Sequence, residues 1–213
     1  MHLFQTILKL HELRMTRQEF LHRQGLRTPR LHAVLLVVTF WLTMSWVQAA
    51  EVRKEIQVKC SYLHNFTKFV EWPAETFDSD TSPLVIGVYG NEGMRLELET
   101  QVNGRTLGKR RFEVKRVETP KDVARVHLLY ISEAPDTICL SLVSAAAQEA
   151  KLTVGDTDEF VKGGGMIRFV LEEGKIRFEI NQGTAEAAKL KLSPQLLKLA
   201  RVVRKKQPII PCN

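Results

Sequence analysis

The sequence predicts a single α/β domain: a mostly parallel sheet with helices on both faces and an added C-terminal hairpin. Three observations predict it. Short apolar, β-branched runs at Leu84–Tyr89, Val126–Ile131 and Leu152–Val154 read as buried strands. Helical stretches separate them, and a chain that alternates strand with helix makes a parallel sheet. Residues 166–181 then alternate apolar and polar around Gly174, which is hairpin patterning.

The 213-residue chain opens with Arg14, Arg17, Arg23, Arg27 and Arg30, followed by an apolar run from Ala33 to Val47 and then Gln48-Ala49-Ala50. This is the form of a secretory signal peptide over residues 1–49, with cleavage expected after Ala49. The apolar run is shorter than the roughly twenty residues that cross a bilayer. An uncleaved N-terminal anchor is the alternative, since the leading segment is long and Trp41 and Trp46 suit an interface; Met15 would give a shorter leader. Losing Lys9 and the five arginines together with Glu12 and Glu19 lowers the formal charge from +7 to +3. The basic balance therefore belongs to the leader, and nucleic-acid binding loses its main support.

Residues 50–204 are of one-domain size, with 205–213 as a basic flexible tail. Ile56, Leu63, Phe66 and Val70 mark a helix from about Val52 to Val70, ended by Trp72-Pro73. After the Leu84 strand, Gly90-Asn91 opens a helix carrying Met94, Leu96, Leu98 and Val102. Phe112, Val114 and Val117 form the next strand after Lys109-Arg110-Arg111, and Val126–Ile131 the third, ahead of a helix from about Asp136 to Glu149. Past the Leu152 strand, Asp156 is placed to cap a short helix over Thr157–Lys162, which Gly163-Gly164-Gly165 must stop. Ser193 and Pro194 start the last helix, read as running through Val203 to a basic end at Arg201, Arg204, Lys205 and Lys206. The arrangement is Rossmann-like or flavodoxin-like.

Catalytic signals are weak. His64 and His127 lie on a helix and a buried strand and read as structural, without metal-ligand spacing to each other or to cysteine. Gly-x-Ser-x-Gly and Walker sequences are absent, and Gly87, Gly90 and Gly93 match a dinucleotide fingerprint only loosely. The chain is read as a non-enzyme with no cofactor and no metal. In an open α/β sheet a small ligand would enter beyond the carboxyl ends of the strands, where Asn91, Glu92, Ser132 and Asp156 fall. Cys60 and Cys139 either form a disulfide after export or are simply buried, and Cys212 is the candidate for a free or intermolecular thiol.

Taken in order, YLHNFTKFVEWP at 62–73, the strand and turn Leu84–Gly90, LTVGD at 152–156 with Phe160 and GGMI at 164–167, FEIN at 178–181 and LLKLA at 196–200 resemble the YfiR family of periplasmic regulators, also represented by HmsC. The resemblance covers nearly all of the chain beyond the leader. It implies a non-enzymatic periplasmic protein, usually a homodimer, that binds the periplasmic domain of an inner-membrane diguanylate cyclase and represses it, lowering cyclic di-GMP and biofilm formation. The family often carries two cysteine pairs, against three cysteines here. The residues expected to meet the partner are Trp72, Glu75, Asp156, Lys162, Gly163, Gly164 and Gly165. The alternative function is a periplasmic small-molecule or nucleotide sensor using Asn91, Glu92 and Ser132.

Overall fold

The computed structural model describes residues 51–204. The expected leader, its cleavage site, the basic tail and Cys212 lie outside the described residues. Residues 51–66 form helix α1. It stops short of the predicted end because Thr67 Oγ1 donates to His64 O at 2.6 Å and Phe69 N–H to Phe66 O at 3.0 Å, tightening the last turn. Val70–Glu71 (β1) then turns extended to pair with Lys191–Leu192 (β9), and Phe69 O accepts from Ser193 N–H.

The main sheet holds Leu84–Tyr89 (β2), Thr106–Leu107 (β3), Arg110–Arg116 (β4), Leu128–Ile131 (β5), Leu152–Gly155 (β6), Ile167–Glu172 (β7), Lys175–Asn181 (β8) and Val202–Arg204 (β10). Its order is β10-β8-β7-β6-β5-β2-β4-β3. The five strands β7, β6, β5, β2 and β4 are mutually parallel, β7 and β8 form the expected antiparallel hairpin, and β3 folds back on β4. Glu92–Val102 (α2) and Asp136–Ala147 (α3) are the two long crossover helices; Asp158–Lys162 (α4), Gln182–Ala187 (α5) and Pro194–Leu199 (α6) are short.

Strand alternation divides the core into two layers. Leu84, Ile86 and Val88 of β2, with Leu128, Tyr130, Leu152 and Val154, pack under Leu63 and Phe66 of α1 and Met94 and Leu98 of α2. Val85, Leu129 and Ile131 point to the opposite face, against Leu142 and Val143 of α3 and Phe160 of α4. This division excludes the bridge anticipated between Cys60 and Cys139: Cys60 belongs to the first layer, Cys139 to the second, and both are buried free thiols. Cys60 Sγ lies 3.5 Å from Met94 O and 3.5 Å from Met94 Sδ, and burial, aided by Glu97, pushes its pKa up to about 12. It behaves as a small core residue.

Two further elements depart from the sequence reading. Thr157, not Asp156, caps α4, its Oγ1 accepting Phe160 N–H at 3.2 Å. The last helix begins at Ser193 and Pro194 as expected but ends at Leu199. Arg201 N–H donates to Phe178 O at 2.9 Å, and Val202–Arg204 runs parallel to β8 as a strand. The backbone bonds offered by an open sheet edge outweigh the helical period that Val203 would have continued.

Candidate functional site

The chain runs from β2 outward to β4, then back across to β5, so the strand order reverses between β2 and β5. In doubly wound sheets that reversal opens a crevice at the carboxyl ends. Here main chain fills it. Ser132 N–H donates to Tyr89 O at 3.1 Å, and a Cβ at Gly90, whose φ is +88°, would stand 1.8 Å from Ser132 O. Asn91 locks the closure: its Oδ1 accepts Met94 N–H at 2.8 Å, capping α2, while its Nδ2 donates to Glu133 Oε1 at 3.1 Å. Asn91 and Glu92 do line a depression of about 340 Å³ with Arg116 and Glu118, on the β4 side, but Ser132 is not part of it.

One strand further along, Asp156 is the hub of a charged network. Its Oδ2 accepts the Tyr130 hydroxyl at 2.9 Å and the Lys59 ammonium at 3.1 Å, and Lys59 also pairs with Glu55 at 2.7 Å. These contacts tie α1 to the ends of β5 and β6. Tyr130 is 2% exposed, and burial followed by the Asp156 charge raises its pKa far above the phenol range. Burial works to lower the Lys59 pKa, yet the Glu55 hydrogen bond and the Asp156 charge outweigh it, leaving the pKa raised. Lys59, Asp156, Arg168 and Phe169 line a cavity of about 480 Å³. Arg168 pairs with Asp158 and with Glu179 at 2.9 Å; Glu179 also takes Arg201 at 3.0 Å, and Arg201 reaches Glu172 at 3.0 Å.

The glycines at 163–165 have internal roles. Gly164, at φ +91°, donates to Val161 O at 3.0 Å, and Gly165 donates to Phe160 O at 2.8 Å, the two bonds that terminate a helix through a left-handed residue. A Cβ at Gly165 would fall 2.1 Å from the Phe160 ring. All three glycines are buried, whereas Lys162 is exposed and pairs with Glu159 at 3.0 Å.

Trp72 and Glu75 lie at the other end of the strands. His127 precedes β5, its Nδ1 accepts Val85 N–H at 3.0 Å, and its Nε2 therefore carries the proton and faces Thr76 O at 3.2 Å. Phe77 stacks on the imidazole at 4.5 Å, Trp72 meets it edge-on at 6.2 Å, and Arg110 lies 3.7 Å over Phe77. Trp72 is half-buried, with its indole N–H 3.4 Å from Thr67 O, while Glu75 is exposed. His127 is 9% exposed, and burial with the Lys151 charge lowers its pKa to about 4. The expected partner-facing residues thus divide between two ends of the sheet. The Lys59–Asp156–Tyr130 network escaped sequence reasoning, its local signals being an acidic residue after β6 and a lone tyrosine in an apolar strand; His127 reads as structural in the sequence, which does not show its partners Val85 and Thr76.

The fold and these sites define a class: a single α/β domain in which His127 and Asp156 are engaged in holding neighbouring elements to strand ends. Among the described residues no group of three His, Cys, Asp or Glu is arranged to hold a metal, and no helix is long and apolar enough to cross a membrane. The chain belongs to the YfiR/HmsC-like family, whose model matches residues 56–201. That family is periplasmic, and membership suggests regulation of diguanylate cyclase signalling rather than catalysis. No curated protein is a match. Among solved structures the chain is similar to a conserved domain protein from Vibrio cholerae, with 15% identity and a TM-score of 0.43 over 57% of this chain and 55% of that one. It is also similar to an ABC domain from Streptococcus pneumonia crystallised with L-Trp, with 12% identity and a TM-score of 0.40 over 56% of this chain and 54% of that one. The chain thus spans little more than half the length of each.

Proposed function

We propose that this protein is a periplasmic repressor of an inner-membrane diguanylate cyclase, exported by a leader cleaved after Ala49, acting as a homodimer and without catalytic activity of its own. It binds the periplasmic domain of the cyclase, and while bound it lowers cyclic di-GMP and biofilm formation. The observation that carries this reading is the family match, which runs from within α1 to Arg201, just before the final strand, and so takes in both sequence motifs and fold. Deleting the gene is expected to raise intracellular cyclic di-GMP, and supplying the exported protein to restore it. A chain lacking residues 1–49 is expected to fail. Unchanged cyclic di-GMP on deletion would overturn the proposal.

The docking end is the one with Trp72 and Glu75. At the carboxyl end the glycines are buried beneath α4, whereas Glu75, Asp78, Ser79 and Asp80 stand exposed on a loop that His127 and Arg110 hold in place. Loops fixed by a rigid scaffold are where recognition concentrates. Glu75→Lys is expected to weaken binding of the purified cyclase sensor domain about tenfold, as loss of a well-placed charge contact does. Lys162→Glu is expected to leave it unchanged; the reverse pattern in a titration would move the interface to the α4 loop.

A further inference from the structure

The sheet ends in an edge that the described residues leave open, and the sequence of that edge is complementary to itself. β4 pairs with β2 through Phe112–Arg116, but on its outer side β3 covers it only at Arg110 and Arg111. Val117 N–H donates to Val88 O. That bond fixes the phase of the strand: odd-numbered residues turn their backbone groups toward β2, while Phe112, Val114 and Arg116 turn theirs outward. Among the described residues no strand pairs with this outer row. Such a row of N–H and C=O groups is a template for another strand. The side chains of Phe112 and Val114 belong to the core layer under α2, and Glu113 and Lys115 stand on the opposite face, 3.6 Å apart.

We propose that this edge is the seam of the homodimer, with two β4 strands pairing antiparallel about a two-fold axis through Val114, so that one sheet continues through both protomers. The proposal rests on the dimer put forward above and assigns its surface and register. With Val114 opposite its own copy, Glu113 falls opposite Lys115 of the partner subunit, and symmetry makes the same pair twice. These are the positions between hydrogen-bonded pairs, where facing side chains come closest. Phe112 falls opposite Arg116 of the partner subunit, a ring beside a guanidinium stem. Moving the axis by one residue would set Glu113 against Glu113 or Lys115 against Lys115, so charge selects this register. β4 also ends at Arg116, one residue before it would meet the β3 hairpin of the second copy. An isologous contact of this kind closes on itself and leaves no free edge to propagate.

Sedimentation equilibrium and disulfide trapping of the exported chain, in a Cys212→Ser background, test this. The wild type is expected to be a dimer. Lys115→Glu, which turns both attractive pairs repulsive, is expected to weaken dimerisation about tenfold or more, and Glu113→Lys with Lys115→Glu to restore it to within about threefold. Val114→Cys is expected to give a disulfide-linked dimer under mild oxidant, because a hydrogen-bonded pair about 5.5 Å apart at Cα lies within disulfide reach. A wild-type dimer that ignores Lys115→Glu and leaves Val114→Cys uncrosslinked would place the seam elsewhere. A wild-type monomer at about 100 micromolar, far above the dissociation constant of a standard interface, would remove the dimer itself. A monomer whose binding to the cyclase sensor domain is lost on Lys115→Glu would assign the edge to that partner, against self-pairing.

Discussion

At the amino end of β5 a neutral imidazole, His127, is held by Val85 N–H and Thr76 O, whereas at the carboxyl end a carboxylate, Asp156, is held by the Tyr130 hydroxyl and the Lys59 ammonium. Both fasten a loop to the end of the sheet. They differ in what they require of the proton: the imidazole anchor works only while uncharged, and the lysine only while charged. One domain is therefore bounded by an acid-sensitive end and an alkali-sensitive end, and each can be broken without the other.

The largest effect is expected at the carboxyl end. Asp156→Ala leaves a buried hydroxyl and a largely buried ammonium without their shared partner, at a cost of about 2–4 kcal/mol in urea unfolding. A loss under about 0.5 kcal/mol, the range of ordinary surface changes, would show that the network is idle.

Acid titration probes the amino end next. The folded His127 pKa, about 4, lies below the ordinary 6.5. Its stabilising contribution is thus complete above pH 6.5 and is lost as pH falls toward 4, by at most about 3 kcal/mol. The ring faces the positive charges of Lys151 and Arg110 and the opposing charge of Asp78. His64, also lowered to about 4 by burial and by Lys68 and Arg105, adds to the same limb, so His127→Phe is expected to flatten the acid limb in part. Lys59 has the opposite sign: its raised pKa makes its contribution complete below pH 10.5 and lost above it; Cys60 and Tyr130, both raised by burial, add to the same alkaline limb, so Lys59→Met is expected to flatten it in part. Thermal unfolding across pH checks both limbs. Identical profiles for wild type and variants would contradict the comparison.

The smallest effect separates the two holders of Asp156. Tyr130→Phe removes one hydrogen bond and leaves the Lys59 pair, so a loss of about 1 kcal/mol is expected, well below that of Asp156→Ala. Equal losses in a double-mutant cycle would mean that the tyrosine alone carries the contact.

How much of this was legible follows from the range of each interaction. β2, β5 and β6 are buried on both faces and show as short apolar, β-branched runs; the β7–β8 hairpin shows as alternation around Gly174. Ser193 and Pro194 marked their helix start because a cap is local chemistry. β3, of two residues, carries no period to read, and β10 carries the helical period of the preceding segment; both exist because a neighbouring strand accepts them. Thr157 and Asp156 are adjacent oxygen-bearing residues, and what distinguishes them is Lys59, 97 positions away, and Tyr130, 26 positions away. Nothing between residues 136 and 162 carries that information.

The contact between Gly90 and Ser132 has an evolutionary consequence. An active site lost by substitution can be regained by substitution, since side chains are exchanged one codon at a time. Here the atoms at the usual ligand position of a doubly wound sheet are peptide groups, present whatever residue is encoded. Opening it would take a change in loop length rather than in residue identity. New specificities in such a lineage are therefore expected to arise on outer surfaces, where single substitutions are sufficient.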